Sequence, residues 1–359
     1  MVPLIRLVVF AILVPLLLTF AWLRRLWRFT LTRSYPSQIN GMNSMLKLFV
    51  FLFACIASVS DLPAQMLIVD RGPASGSSQP LGLTKETNAF LADDFVAGVA
   101  KEDWVIDHIR LWAVPDPKAS SAQGLGDLFK KISLFGGIAP DLPPAGQAAA
   151  AECDCHNLPA LKTATVEPGS NSTDSHEVVI SANKQEGSEL WQIDFNDMKW
   201  SVPGGTSIQF GILAEPYSGS TWYNLGSPAS ESHLRVFSSA GKLQNPLHGD
   251  PPASMNIQVW GHLLARVSIH SAGKKFHVIL RSQSYLDATQ VDPASLHFGP
   301  GKASPESVRV EDVNHNGKAD LVMYFRATDS GIPPKSVNAC LTGKRLDGAP
   351  FEGCDLLAH

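Results

Sequence analysis

From residue 65 onward, apolar side chains recur at alternate positions over short runs, and Gly, Pro, Asn and Ser break those runs. Apolar spacing of three and four, the mark of an amphipathic helix, is nearly absent, so the dominant period is that of β-strands. The clearest runs are "WVIDHIRLWAV" (104–114), "HEVVISA" (176–182), "ELWQIDF" (189–195), "SIQFGILAE" (207–215), "HLRVFSS" (233–239) and "MNIQVWG" (255–261). Many short strands separated by turn signals predict an all-β fold, a β-sandwich or jelly roll spanning 66–263. A short helical turn is expected within 116–137, and "APDLPPAGQAAAAECDC" (139–155) reads as a long surface loop. After "NIQVWG" a second, smaller β-domain is expected over 264–359, with strands "RVSIH", "FHVILRS", "SVRVEDV" and "DLVMYFRA". Trp104, Trp112, Trp191 and Trp260 alternate within strands and are expected in the core, while His108 and His262 read as sheet-face residues without a catalytic role.

Residues 1–64 follow a different pattern. "LVVFAILVPLLLTFAWL" (7–23) is marginal for a bilayer crossing. "MLKLFVFLFACIASVSDLPAQ" (45–65) has a lysine, an apolar stretch and small residues near its end, the layout of a secretory signal peptide. On that reading translation starts at Met42 or Met45 and the preceding residues are an over-extended start. The rival reading is a helical hairpin with its Arg-rich segment in the cytoplasm. Both place the rest of the chain outside the cytoplasm, in a secreted, cell-surface or periplasmic location, with membrane contact only through the amino-terminal segment.

Charge adds to this. The chain has 29 basic and 33 acidic residues. Six of the basic and one of the acidic precede residue 65, which leaves 23 and 32, a charge of −9 on the remainder. Such a body repels nucleic-acid phosphates and suits cations or neutral ligands. Four cysteines follow the signal, and Cys340 with Cys354 would close a hairpin over "DG" as a disulfide. Cys153 and Cys155 in "CDCH" read as a local disulfide or two free thiols rather than a soft-metal site.

"EDVNHNGKADL" (311–321) places Asp312, Asn314, Asn316 and Asp320 at alternate positions around Gly317. With the carbonyl of Lys318, these supply the oxygen ligands a calcium ion prefers. Position twelve of the loop, counted from Asp312, is Met323, which cannot coordinate a hard ion, and the flanks read as strands. A helical EF-hand is therefore excluded. Two carboxylates and two amides predict weak, structural binding in the range of about 10⁻⁴–10⁻³ M. The ion-free alternative is an Asx-rich turn.

"YLDATQVDPASLHFGP", "VEDVNHNGKADLVMYFRATDSGI" and "ACLTGKRLDGAPFEGCD" together resemble a small carboxyl-terminal β-domain with one calcium loop of the FG-GAP or EF-hand-like kind. That domain recurs in secreted bacterial and archaeal proteins of unassigned function. The resemblance implies a secreted β-module with a structural calcium, not an activity. More loosely, "ADDF" (92–95), "VPGGTSIQFGI" (202–212) and "IQVWG" resemble the all-β, jelly-roll-like modules of exported bacterial proteins.

No nucleophile elbow, zinc-protease helix motif or phosphate loop occurs. Trp222, Tyr223 and Asn224, in the Gly/Ser-rich "SGSTWYNLGS", are the candidates for stacking on and hydrogen-bonding a sugar; the alternative is an aromatic cap on the core. The expected function is a secreted, non-enzymatic β-protein that binds a surface component, with carbohydrate as the leading ligand class. The alternative is an extracellular polysaccharide hydrolase, which needs two carboxylates about 5–10 Å apart in a cleft.

Overall fold

Alternation of buried and exposed residues marks many of the described strands. Its computed structural model describes residues 65–74, 79–82, 89–115, 124–138, 158–185, 188–216, 222–228, 234–246 and 253–357. The chain divides into units Met1–Asp61 and Leu62–His359. The signal or anchor segments expected within 1–64, together with "CDCH", lie outside the described residues. Among those described, no helix is long and apolar enough to cross a membrane.

The fold is all-β, as the periodicity predicts. Among the described residues the strands form sheets of twelve, six and four members. The long strand Asp103–Pro115 lies inside the large sheet, antiparallel to Ile257–Leu264, Ser188–Phe195, Trp200–Pro203 and Trp222–Pro228. The six-stranded sheet is centred on Ala89–Val96 and Ser207–Pro216. Ile106, Ile109, Leu111, Ile193 and Val259 of the large sheet share one buried cluster with Leu91, Phe95, Ile132, Ile208 and Phe210 of the six-stranded sheet. Two sheets with apolar inner faces in one core make a sandwich-like arrangement. Trp104 and Trp191 are buried in that core, as expected, and Trp112 is buried in a separate small cluster with Ala74, Leu190 and Leu225. Trp260 is not part of that core: it is half-buried and stacks on His108.

The helical turn expected within 116–137 is a 3-10 turn, Leu125–Asp127, and the rest of that stretch includes a full strand, Phe129–Ile138. Its "FKKISLFGGI" has burial on both faces, which erases the alternation that marks a strand in sequence.

Beyond residue 264 the four-stranded sheet packs Val278, Leu280, Met323 and Phe325 into the same cluster as Phe298, Leu341 and Phe351. The expected break at 263/264 is spanned by backbone pairing. Strand Pro350–Leu356 runs parallel to Ile257–Leu264, with Leu263 opposite Phe351 and Leu264 opposite Glu352. The Ala265 amide donates to the Glu352 carbonyl at 2.8 Å. Tyr285 adds a side-chain tie, its one hydroxyl proton shared between Asp103 at 3.1 Å and the Leu264 carbonyl at 2.9 Å. Burial pushes the Tyr285 hydroxyl pKa far up, and the Asp103 carboxylate adds to it, so this donor stays protonated.

Candidate functional site

Among the described residues, the outer face of the large sheet carries a polar network. Along Asp103–Pro115 the residues Ile106, Ile109 and Leu111 point into the core, which turns His108 and Arg110 to the opposite face. On neighbouring strands the same alternation brings Gln192, Asp194, Gln258 and Trp260 to that face. The register shifts between Trp260 and Gly261, which face His108 and Ile106 respectively and leave Asp107 as the extra residue of a β-bulge. A side chain at Gly261 would put its Cβ 2.3 Å from the Val105 carbonyl oxygen, so only glycine fits at the bulge. Asp107 reaches His262 at 2.7 Å, both of them buried. Both histidines thus sit on strands in contact with a carboxylate.

Asp194 organises the network. Its Oδ1 lies 2.6 Å from His108 Nε2 and accepts from Arg110 Nε at 2.6 Å, while Oδ2 accepts from Gln192 Nε2 at 2.8 Å. Burial works to raise its pKa, but the hydrogen bonds from His108, Arg110 and Gln192 outweigh it and hold the carboxyl below its ordinary value. The His108 and Trp260 rings are stacked, centroids 4.3 Å apart and planes 8° apart. The Arg110 guanidinium carbon lies 5.3 Å from the Trp260 ring centroid. Gln258 extends the polar row by donating to Asp70 at 3.1 Å. Alternation in "DHIRLW", "WQIDF" and "IQVWG" contained the face assignment; the meeting of Asp194 with both cations depends on strand register, which the sequence does not state.

The aromatic candidates sit differently from expectation. Trp222, Tyr223 and Asn224 belong to strand Trp222–Pro228 rather than to a loop, paired with Pro115, Val114 and Ala113. Asn224 is 1% exposed, and neither of its amide atoms has a hydrogen-bond partner. A side chain sealed in this way presents nothing to a glycan at the surface. The aromatic and polar residues of "STWYNLG" suited a loop, but paired strands on two sides hold them in the sheet.

The candidate cation loop joins strands Ser307–Glu311 and Asp320–Arg326, with Glu311 opposite Asp320 as the last pair. Strand flanks agree with the exclusion of a helical EF-hand, and Met323 is buried in the core. Asp312 accepts from the amides of Asn316 and Gly317 at 3.1 and 2.9 Å, Asn314 from Asn316 at 3.1 Å, and Asn316 from Lys318 at 2.8 Å. Gly317 sits at φ +81°, the left-handed region that lets the chain reverse. Asp320 is 0% exposed; its Oδ1 accepts from the Ser282 amide at 2.8 Å, while Oδ2 is buried without a partner. An unpartnered buried carboxylate oxygen beside a loop of hard oxygen donors fits calcium, and the amide bonds already made fit the Asx-turn alternative equally.

The disulfide Cys340–Cys354 is formed, across directly paired residues of the last hairpin. Glu352 lies within 4.8 Å of both sulfurs, but sulfurs bonded to each other offer no thiolate to a metal.

No family model and no curated protein matches the chain. Among solved structures it is similar to a marsupial T cell receptor, at 9% identity and a TM-score of 0.18, over 75% of this chain and 64% of that one. A likeness of that size says nothing about what this chain binds.

Proposed function

We propose that the chain is an exported binding protein without catalytic activity, taking a glycan at the outer face of its large sheet and carrying a structural calcium between Asp312 and Asp320. The observation behind the ligand reading is the network of Trp260, His108, Arg110, Asp194 and Gln192. An aromatic body with fixed donors and acceptors on one surface suits the mixed apolar and hydroxyl surface of a sugar. Export is supported by the apolar segment 45–64 and by a disulfide, which persists in oxidising compartments. The −9 charge of the body disfavours nucleic acid as a partner.

Neither Asp194 nor Asp93, the two strand carboxyl groups whose titration is shifted, suits a general acid. A general acid needs a raised pKa and access to solvent. Asp194 is held ionised by its three donors. Asp93 is shifted upward, mainly by burial, yet it is 0% exposed against Arg71 and the Met255 amide, where no substrate reaches.

Affinity electrophoresis of the full chain through a panel of embedded polysaccharides tests the reading. Trp260→Ala should abolish retardation on any polymer that retards the parent. Retention unchanged by Trp260→Ala but lost with Trp222→Ala would move the site to Trp222 and Tyr223. Absence of retardation on every polymer would refute a glycan ligand.

A further inference from the structure

We infer that the outer-face site selects a largely neutral glycan bearing isolated carboxylates, each gripped by the guanidinium of Arg110. The inference rests on the glycan reading above and adds the chemical class of ligand. A guanidinium has five N–H donors. Arg110 directs Nε at Asp194, 2.6 Å away, and among the described residues its terminal nitrogens make no hydrogen bond. Its side chain is 29% exposed, so the residue is open in part to solvent. Two contacts fix the plane of the group: Asp194 holds one edge, and the Trp260 ring lies 5.3 Å from the guanidinium carbon. What remains is a pair of parallel donors on a pre-oriented fork, the geometry that matches both oxygens of one carboxylate. A sugar hydroxyl uses only one such donor.

The surroundings limit how many charges the ligand carries. Asp194 balances Arg110, so the pair attracts no polyanion at long range, and the body of the protein carries −9. Repulsion of that kind acts on every charge within about 8 Å at physiological salt, whereas the fork rewards only the carboxylate it touches. A chain with a uronate at intervals gains the contact and avoids most of the repulsion. A polyuronate does not.

The test uses the full chain with three polymers: a glucuronoxylan, the same glucuronoxylan after carboxyl reduction, and polygalacturonate. The parent should bind the native glucuronoxylan about ten- to a hundredfold more tightly than the reduced polymer, the range for a hydrogen-bonded charge. Arg110→Gln should bind both equally weakly, and Arg110→Lys should not restore the preference because lysine lacks the fork. The reduced-polymer comparison needs no variant, so misfolding of Arg110→Gln leaves the result readable. Equal binding of native and reduced polymer, with both lost in Trp260→Ala, overturns the carboxylate inference and leaves the glycan reading standing. Tighter binding to polygalacturonate than to glucuronoxylan overturns the preference for sparse charge. Binding to none of the three overturns the inference, and the wider polysaccharide panel then decides the glycan reading separately.

Discussion

Replacing Asp312 by alanine separates the two accounts of the 312–320 loop, because Asp312 and Asp320 have different work in the fold. Asp312 is half-buried, and its oxygens receive only exposed loop amides that water can satisfy in its absence. Without calcium, Asp312→Ala should therefore lose only about 0.5 kcal/mol. Asp320 is fully buried and receives the amide of Ser282, itself buried. Asp320→Ala leaves that amide unpaired and should lose about 1–3 kcal/mol with or without the ion. Calcium adds a separate contribution. For a site of about 1 mM affinity in 10 mM calcium, mass action gives about 1.4 kcal/mol. In a chain of this size that raises Tm by about 2 °C. Loss of the Asp312 carboxylate should weaken the site at least about tenfold and reduce the calcium-dependent shift to about 0.6 °C. The assay is a thermal melt of the parent and both variants, in 10 mM calcium and in chelator. A parent Tm that does not respond to calcium, or an Asp312→Ala variant that responds as the parent does, would refute cation binding and leave an Asx turn.

Other expectations follow from the same contacts. Cys340→Ser opens a loop with a sequence separation of 14. It should destabilise the last hairpin by about 3 kcal/mol, read as faster amide exchange over 338–356; unchanged exchange would show the strand pairing suffices alone. The folded Asp194 carboxyl lies below its ordinary 3.8, so its stabilisation is present above that value and is lost as pH falls through the folded value. Asp194→Asn should then flatten the loss of Tm as pH falls below 3.8, and an unaltered acid limb would contradict the network's contribution. Asp93 has the opposite sign: its raised folded pKa makes the wild type lose stability as pH climbs from 3.8 towards the folded value. Melts of Asp93→Asn should lack that decline; a decline of equal slope would place its origin elsewhere.

Much of the fold was legible because half-buried strands keep a strict period of two. "WVIDHIRLWAV" and "ELWQIDF" match strands Asp103–Pro115 and Ser188–Phe195 within a few residues. The disulfide was legible too, since "DG" sets a turn that brings Cys340 opposite Cys354. Strand Phe129–Ile138 was not, because burial on both faces removes alternation. "STWYNLG" misled for a related reason: small polar residues favour loops locally, and the pairing that overrides them comes from residues more than a hundred positions away. Trp260 looked like core because strand position fixes which side a residue faces but not which side is covered. The site depended on that second property. Arg110, Asp194 and Trp260 lie far apart in sequence, and the registers that pair Asp103–Pro115 with Ser188–Phe195 and with Ile257–Leu264 align them.

The parallel pairing of Pro350–Leu356 with Ile257–Leu264 has a consequence for how the molecule is made. Until residues near 350 are delivered, the end of strand Ile257–Leu264 at Leu263 and Leu264 offers bare amides and carbonyls to any neighbouring chain. Closure joins segments almost ninety positions apart, a slow kind of event for a polypeptide arriving amino end first. A truncated product would therefore present a sticky flank beside Leu263, and a chaperone that shields this flank would matter more to yield than one acting on the four-stranded sheet.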